Sequence, residues 1–252
     1  MKTLSAINHK GGTAKTTTNL ALGAYLTGKG KKVLYVDLDP QQNLCKTLGA
    51  DLSLPTSLEV LVGDVTISEA IQKVGKYAVV PSSKRAGKVD QLIDDVGRDY
   101  RLKNALDEVS SSYDYAIIDT PPALGTLVIN CLTACDGIVI PAQADIYSVD
   151  GLEDLASTIA SVRKYTNPDL KVLGILLTRY SPRTNISQVI YEMASQRAEE
   201  FGTKVFKSTI REAVAIREAQ AVGQDIFSYA GKSKVASDYE EFAKEAMKAM
   251  KK

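Results

Sequence analysis

The sequence predicts an α/β fold in which a mostly parallel, twisted sheet carries helices on both faces. Three observations point to it. Short β-rich apolar runs alternate with longer helical patterns along the 252 residues. The runs at 33–37, 115–119 and 137–141 are apolar almost throughout, as central strands buried on both faces are. No Pro-, Gly- or Ser-rich linker divides the chain, so residues 1–252 are expected to form a single domain.

Taken in order, the expected strands are 3–7, 33–37, 77–80, 115–119, 137–141, 173–178 and 204–206. The expected helices are 16–27, 91–96, 101–109, 126–135, 149–165, 186–201, 211–222 and 236–251. In such a sheet ligands bind outside the carboxyl ends of the strands, so chemistry is to be sought just after each strand. Composition narrows the function classes. Charged residues make up 24% and hydrophobic residues 44%, as in ordinary soluble globular proteins. A formal net charge of +1 excludes a polycation, so any nucleic-acid binding needs a local patch. Cys45, Cys131 and Cys135, with no CxxC and one histidine, suit neither a disulfide framework nor a zinc site. They are expected to be small packing residues in a reducing cytoplasm. No apolar run is long enough to span a membrane, and the chain enters a strand pattern at once, without a signal-peptide pattern.

After the first strand comes Asn8-His9-Lys10-Gly11-Gly12-Thr13-Ala14-Lys15-Thr16-Thr17, followed by a helix. Gly11 and Gly12 let consecutive N–H groups turn inward toward phosphate oxygens. Lys15 is placed to reach the β- and γ-phosphates, and the Thr16 hydroxyl to hold Mg²⁺. The helix start adds its positive dipole end. The second strand ends in Asp37-Leu38-Asp39-Pro40-Gln41, where two carboxylates at i and i+2 share one side. The strand Tyr115-Ala116-Ile117-Ile118-Asp119, then Thr120-Pro121-Pro122, ends four apolar or aromatic positions in an acid. That is a Walker B pattern, whose carboxylate would complete the metal site begun by Thr16.

The strict Walker A pattern fails, because its glycine positions hold His9 and Ala14; what fits is the deviant form KGGxxKT, with Lys10 ahead of the glycines. The chain thus resembles the deviant Walker A P-loop ATPases, and within them the ParA/Soj-type partition ATPases. The match continues through the DLDPQ and DTPP segments (switch I and switch II), residues 127–141, Asp150-Gly151-Leu152, Leu176-Leu177-Thr178-Arg179, Arg183-Thr184-Asn185, Glu218-Ala219 and the closing helix from Tyr239. The resemblance implies ATP and Mg²⁺ as cofactors and a nucleotide site of Lys10, Gly11, Gly12, Thr13, Ala14, Lys15, Thr16 and Thr17. It implies Lys10, Lys15 and Asp39 as catalytic residues, with Asp37 joining Thr16 and Asp119 around the metal. By the same resemblance Lys10 reaches across a homodimer to the partner's nucleotide. The family binds duplex DNA without sequence preference and is stimulated by a centromere-binding protein of the ParB type. A cytoplasmic, nucleoid-associated ATPase of plasmid or chromosome partition, slow until its partner stimulates it, is therefore expected.

Two departures stand out. Ala14 replaces the family glycine before the Walker lysine; a methyl there is harmless at negative φ, and otherwise is expected to slow hydrolysis or loosen the dimer. The family's IPRNVRLSEA stretch reads IREAVAIREA at 210–219, with Arg211 for proline and Ala215 for a DNA-contacting arginine. Arg183 matches another DNA-contacting arginine, and Arg211, Arg217, Lys232 and Lys234 are near enough in sequence to rebuild a basic patch. Alternatives are a MinD-like or orphan ParA-like ATPase that positions a protein complex on membrane or nucleoid, and a weakly hydrolysing nucleotide switch. The tail from Asp238 is amphipathic, but small residues dominate its apolar side, so a helix packed on the sheet is expected instead of a membrane anchor.

Overall fold

The computed structural model describes residues 1–145, 152–181 and 185–251. Its sheet has seven strands in the order β3–β4–β2–β5–β1–β6–β7: β1 (Lys2–Ala6), β2 (Val33–Asp37), β3 (Gln72–Val74), β4 (Tyr77–Val80), β5 (Tyr115–Asp119), β6 (Gly137–Gln143) and β7 (Lys171–Thr178). All neighbours run parallel except β3 and β4.

Alternation along the central strands feeds two cores, one on each face. Leu34 and Val36 of β2, Ala116 and Ile118 of β5, and Ile138 and Ile140 of β6 enter one. Val33, Tyr35, Ile117 and Val139 enter the other. The first core is closed by α3 (Ser57–Val62), α6 (Arg101–Glu108), α7 (Thr126–Ala134), α8 (Glu153–Tyr165) and α9 (Asn185–Glu200), with the short α4 (Ile67–Ala70) and α5 (Val89–Leu92) at its rim. The second is closed by α1 (Lys15–Gly28), α2 (Asn43–Leu48), α10 (Val214–Ala221), α11 (Ile226–Ala230) and α12 (Lys234–Met250). Helix α1 lies close on the sheet because Gly23 faces Tyr35; a Cβ there would sit 2.4 Å from the tyrosine oxygen. The expected tail helix is α12, whose Tyr239, Phe242, Ala243 and Ala246 are buried against the second core. The cysteines are free and buried, as packing residues are.

Several expectations are corrected. Residues 204–206 form no strand among the described residues; Val205 makes one isolated bridge to Ile175, beyond the edge of β7. The helix expected at 91–96 is α5, which ends when Ile93 turns extended. The helix expected from 211 begins at Val214, because the preceding backbone is used elsewhere: Ile210 N–H donates to Leu177 O and Arg211 N–H to Asp238. The start of the 149–165 helix lies outside the described residues, and α8 is seen from Glu153. The short β3, α2, α3, α4 and α11 were not expected.

Candidate nucleotide and metal site

The loop between β1 and α1 curls at the carboxyl end of the sheet. Gly12 and Ala14 are both left-handed, at φ 78° and 71°. Ala14 is the N-cap of α1 and supplies no side-chain cap, and the first amides of a helix have no partner within it. Neighbouring strand ends hold the loop. Asn8 Nδ2 donates to Pro141 O, Gln143 Nε2 to Gly12 O (2.6 Å) and Thr178 Oγ1 to Thr13 O (3.4 Å). The positive φ of Ala14 also answers the sequence question: the condition for a harmless methyl is not met, and the left-handed conformation costs an alanine about 1 kcal/mol.

Lys15 is 7% exposed, and its Nζ donates back to Lys10 O at 3.0 Å. Burial lowers its pKa, while the charges of Asp119 and Asp39 work the other way. Thr16 Oγ1 donates to Asp119 Oδ2 at 2.7 Å, and Asn19 Nδ2 donates to Asp119 Oδ1 at 2.8 Å. The Asn19 Oδ1 in turn accepts from Ala6 N–H at 2.7 Å. Burial pushes Asp119 above the usual carboxylate range against these hydrogen bonds. A cation bound here would favour the ionised form and offset the cost of burial.

The remaining predicted residues fall into place unequally. Asp39 lines the same cleft, and its Oδ1 accepts from Gln41 N–H. Asp37 is 0% exposed, and its two carboxylate oxygens accept from the amides of Asp39 and Cys45. Its visible work is therefore to fix the turn that carries Asp39, at a position held apart from solvent. Thr17 Oγ1 accepts from Gln220 Nε2 at 3.1 Å. Lys10 Nζ lies 3.3 Å from Asp145 of its own chain, and both are partly exposed at the loop's rim. Gly11, Gly12, Ala14, Lys15, Thr16, Thr17 and Asp39 share a cleft of about 790 Å³, while Thr13 sits buried behind the loop.

Four of the five cations of the expected basic patch lie among the described residues. Arg211 is held by Asp238 through two hydrogen bonds of 2.6 and 2.7 Å, and it borders the nucleotide cleft together with Arg217. Ala215 packs half-buried on the second core. Lys232 and Lys234 are exposed away from the cleft lining, and Arg183 lies outside the described residues. Sequence reasoning missed Asn19, Gln143 and Asp145. Asn19 stands one helical turn after Lys15 and Thr16, and Gln143 closes β6 with Asp145 two residues beyond it, so the rules that found the other residues reach these too.

The donor set fits a magnesium nucleotide. Among the described residues no cluster of three His, Cys, Asp or Glu forms a cage of its own. Mg²⁺ is ordinarily held by one or two protein oxygens together with phosphates and waters, which Thr16 and Asp119 beside an open phosphate loop allow.

An AAA domain family (AAA_31) matches residues 1–172. The Bacillus subtilis (strain 168) sporulation initiation inhibitor protein Soj is 41% identical over 251 residues, covering 97% of each chain. This chain belongs to the ParA/Soj-type partition ATPases. The Treponema pallidum (strain Nichols) chromosome-partitioning ATPase Soj is 37% identical over 247 residues, covering 97% of this chain and 96% of its own. Among solved structures, a cobyrinic acid a,c-diamide synthase from Mycobacterium smegmatis with bound ATP analogue and magnesium superposes with a TM-score of 0.85 at 36% identity. That superposition covers 100% of this partition ATPase and 96% of the other chain.

Proposed function

We propose that this chain is an ATP hydrolase of DNA partition that uses Mg-ATP, closes as a homodimer on ATP and binds duplex DNA nonspecifically in that state. A ParB-type centromere-binding protein stimulates it, in the cytoplasm and on the nucleoid. The observation that carries this reading is the triad of Lys15, Thr16 and Asp119 at the mouth of a KGG loop whose second lysine, Lys10, sits at the rim.

The loop amides and the α1 N-terminus bind the phosphates, and Lys15 draws charge from the β–γ bridge as that bond breaks. Mg²⁺ supplies further charge neutralisation of the phosphates when bound at Thr16 and Asp119. Asp39 orients the attacking water from the turn that Asp37 fixes. Lys10 leaves Asp145 and reaches the partner's nucleotide, where it neutralises charge on the transferring phosphoryl group as an arginine finger does. Asp145 competes for Lys10 in the open state, which keeps unstimulated turnover low.

The test is binding to duplex DNA with no nucleotide, ADP, ATP and a slowly hydrolysed ATP analogue, with oligomeric state followed in parallel. Dimerisation and DNA binding confined to the ATP forms, falling steeply with salt, is the expected result. Dimerisation on ATP with no DNA binding in any state overturns the DNA reading and leaves a positioning ATPase.

A further inference from the structure

Helix α10 turns one face toward the nucleotide cleft. Ala213, Ile216, Arg217, Gln220 and Ala221 line the cleft, at the spacing of a single helical face. Two contacts fix that helix to the rest of the site. Beyond its end Gly223, left-handed at φ 69°, stands against Thr47 O of α2, where a Cβ would come within 3.3 Å. In its last turn Gln220 Nε2 donates to Thr17 Oγ1 of α1 at 3.1 Å, across 203 positions of sequence.

The direction of the second contact matters. A hydroxyl carries one proton and two acceptor lone pairs. The Gln220 amide occupies one lone pair of Thr17, so the Thr17 proton points elsewhere. A threonine within a helix commonly returns that proton to the carbonyl four residues back. Thr27, Thr47 and Thr158 do so, donating to Gly23 O, Asn43 O and Asp154 O at 2.8–2.9 Å. Thr17 does not: among the described residues its hydroxyl donates to no protein group. Its neighbour Thr16 is committed to Asp119 on the metal side. Thr17 is therefore a half-buried donor in the first turn of α1, lining the cleft with its proton unspent.

A phosphate loop cradles the α- and β-phosphates at this turn. The ribose and base must leave the loop through the cleft that α10 walls, so the phosphate next to Thr17 on that path is the α-phosphate. We propose that Gln220 is a positioning residue of the nucleotide site, which holds Thr17 so that its hydroxyl proton is kept for the α-phosphate. The role rests on the Mg-ATP reading above. It also joins the phosphate loop to α10 before the nucleotide arrives, which lowers the ordering cost of binding. An α-phosphate contact is common to ADP and ATP and is made equally in the ground and transition states, so it acts on binding and not on the chemical step.

The experiment measures ADP and ATP binding to the full chain with Mg²⁺ by calorimetry, with steady-state turnover alongside. The variants are Gln220→Leu, Gln220→Glu, Thr17→Val and the double variant Thr17→Val/Gln220→Leu. Gln220→Leu is expected to weaken ADP and ATP alike by about fivefold, with turnover at saturating ATP held within about twofold. Gln220→Glu keeps the shape but can only accept, so it draws the Thr17 proton away and is expected to weaken both nucleotides by about tenfold or more. The double variant is expected to bind no more weakly than Thr17→Val alone, because Gln220 acts through Thr17. Unchanged affinity in Gln220→Leu overturns the role, as does additive loss in the double variant. A loss confined to ATP also overturns it, because Gln220 would then serve the γ-phosphate or dimer closure. If the unaltered chain binds neither nucleotide, the ATP reading falls with it. Should Gln220→Leu fold poorly, the near-isosteric Gln220→Glu decides, and affinity equal to that of the unaltered chain overturns the role.

Discussion

The two ends of the sheet use their ionisable groups in opposite ways. At the carboxyl end, Lys15, Asp37 and Asp119 are buried and locked by short hydrogen bonds to Lys10 O, Thr16, Asn19 and backbone amides. At the amino end, Lys171, Lys207 and Lys248 stand in solvent without acidic partners among the described residues. A site that must hold one phosphoryl group against one water needs atoms fixed to a few tenths of an ångström, and burial with mutual hydrogen bonds provides that. Solvated lysines keep their charge and their freedom of motion, which burial would remove. The difference teaches that unpaired surface lysines and paired buried ones are separate devices, legible by their partners and not by their number.

The largest effect should come from the rim of the carboxyl end. Lys10→Ala is expected to abolish ATP-dependent dimerisation and lower turnover by about a hundredfold or more, with ATP binding to the monomer retained. Analytical ultracentrifugation with and without ATP checks it, and a variant that still dimerises would remove Lys10 from the in-trans role. Next is Asn19→Ala, which strips a buried partner from both Asp119 and Ala6 N–H and should cost roughly 2–4 kcal/mol of unfolding free energy. A denaturant titration that shows less than about 1 kcal/mol would mean the carboxyl end is not interlocked as described.

The same construction recurs away from both ends. Asp225 caps α11, accepts from the Tyr77 hydroxyl at 2.7 Å and lies 3.3 Å from Lys76 Nζ. Burial opposes its ionised form, but hydrogen bonds from Ser228 and Tyr77 and the Lys76 charge outweigh it, so its pKa lies below the ordinary 3.8. The folded state thus binds this proton less readily than the unfolded one. The contribution is complete above pH 3.8 and is lost as pH falls through the depressed value. Asp225→Ala should lower stability by about 2 kcal/mol at neutral pH, and by less as the solution is acidified below that range. Thermal melts at pH 7 and pH 3 would show it, and an equal loss at both pH values would contradict the assignment. The smallest effect is expected at the phosphate loop itself. Ala14→Gly relieves the left-handed strain but gives the unfolded chain more freedom, so stability should change by no more than about 1 kcal/mol. Turnover should rise if the strained methyl slows closure, and unchanged turnover would show that the loop tolerates it.

Most of the sheet was legible because buried parallel strands leave apolar runs, two of which close on an acid, Asp37 and Asp119. The helices α3 and α4 also left a signal in Thr56–Glu59 and Thr66–Glu69, both of which form capping boxes. Each helix is too short to show a period beside it. Strand β3 could not be read, since two half-buried residues and one exposed residue at an edge need no apolar pattern. The expected strand at 204–206 misled because Val205 and Phe206 are buried against the edge of β7 without continuous pairing, and burial imitates a strand.

The sequence by itself determined six of the seven strands, the longer helices between them, the phosphate loop and the acids at the strand ends beside it, because those depend on residue type and spacing within a few positions. Only the tertiary structure decided that Ala14 is left-handed, that Asp37 accepts from two backbone amides and that Arg211 is held by Asp238 beside the cleft. It alone gathered Lys171, Lys204, Lys207 and Lys248 from distant positions into one groove. The reason is physical: a charge acts through what surrounds it, and residues far apart in the chain become neighbours only once the sheet and its helices have packed.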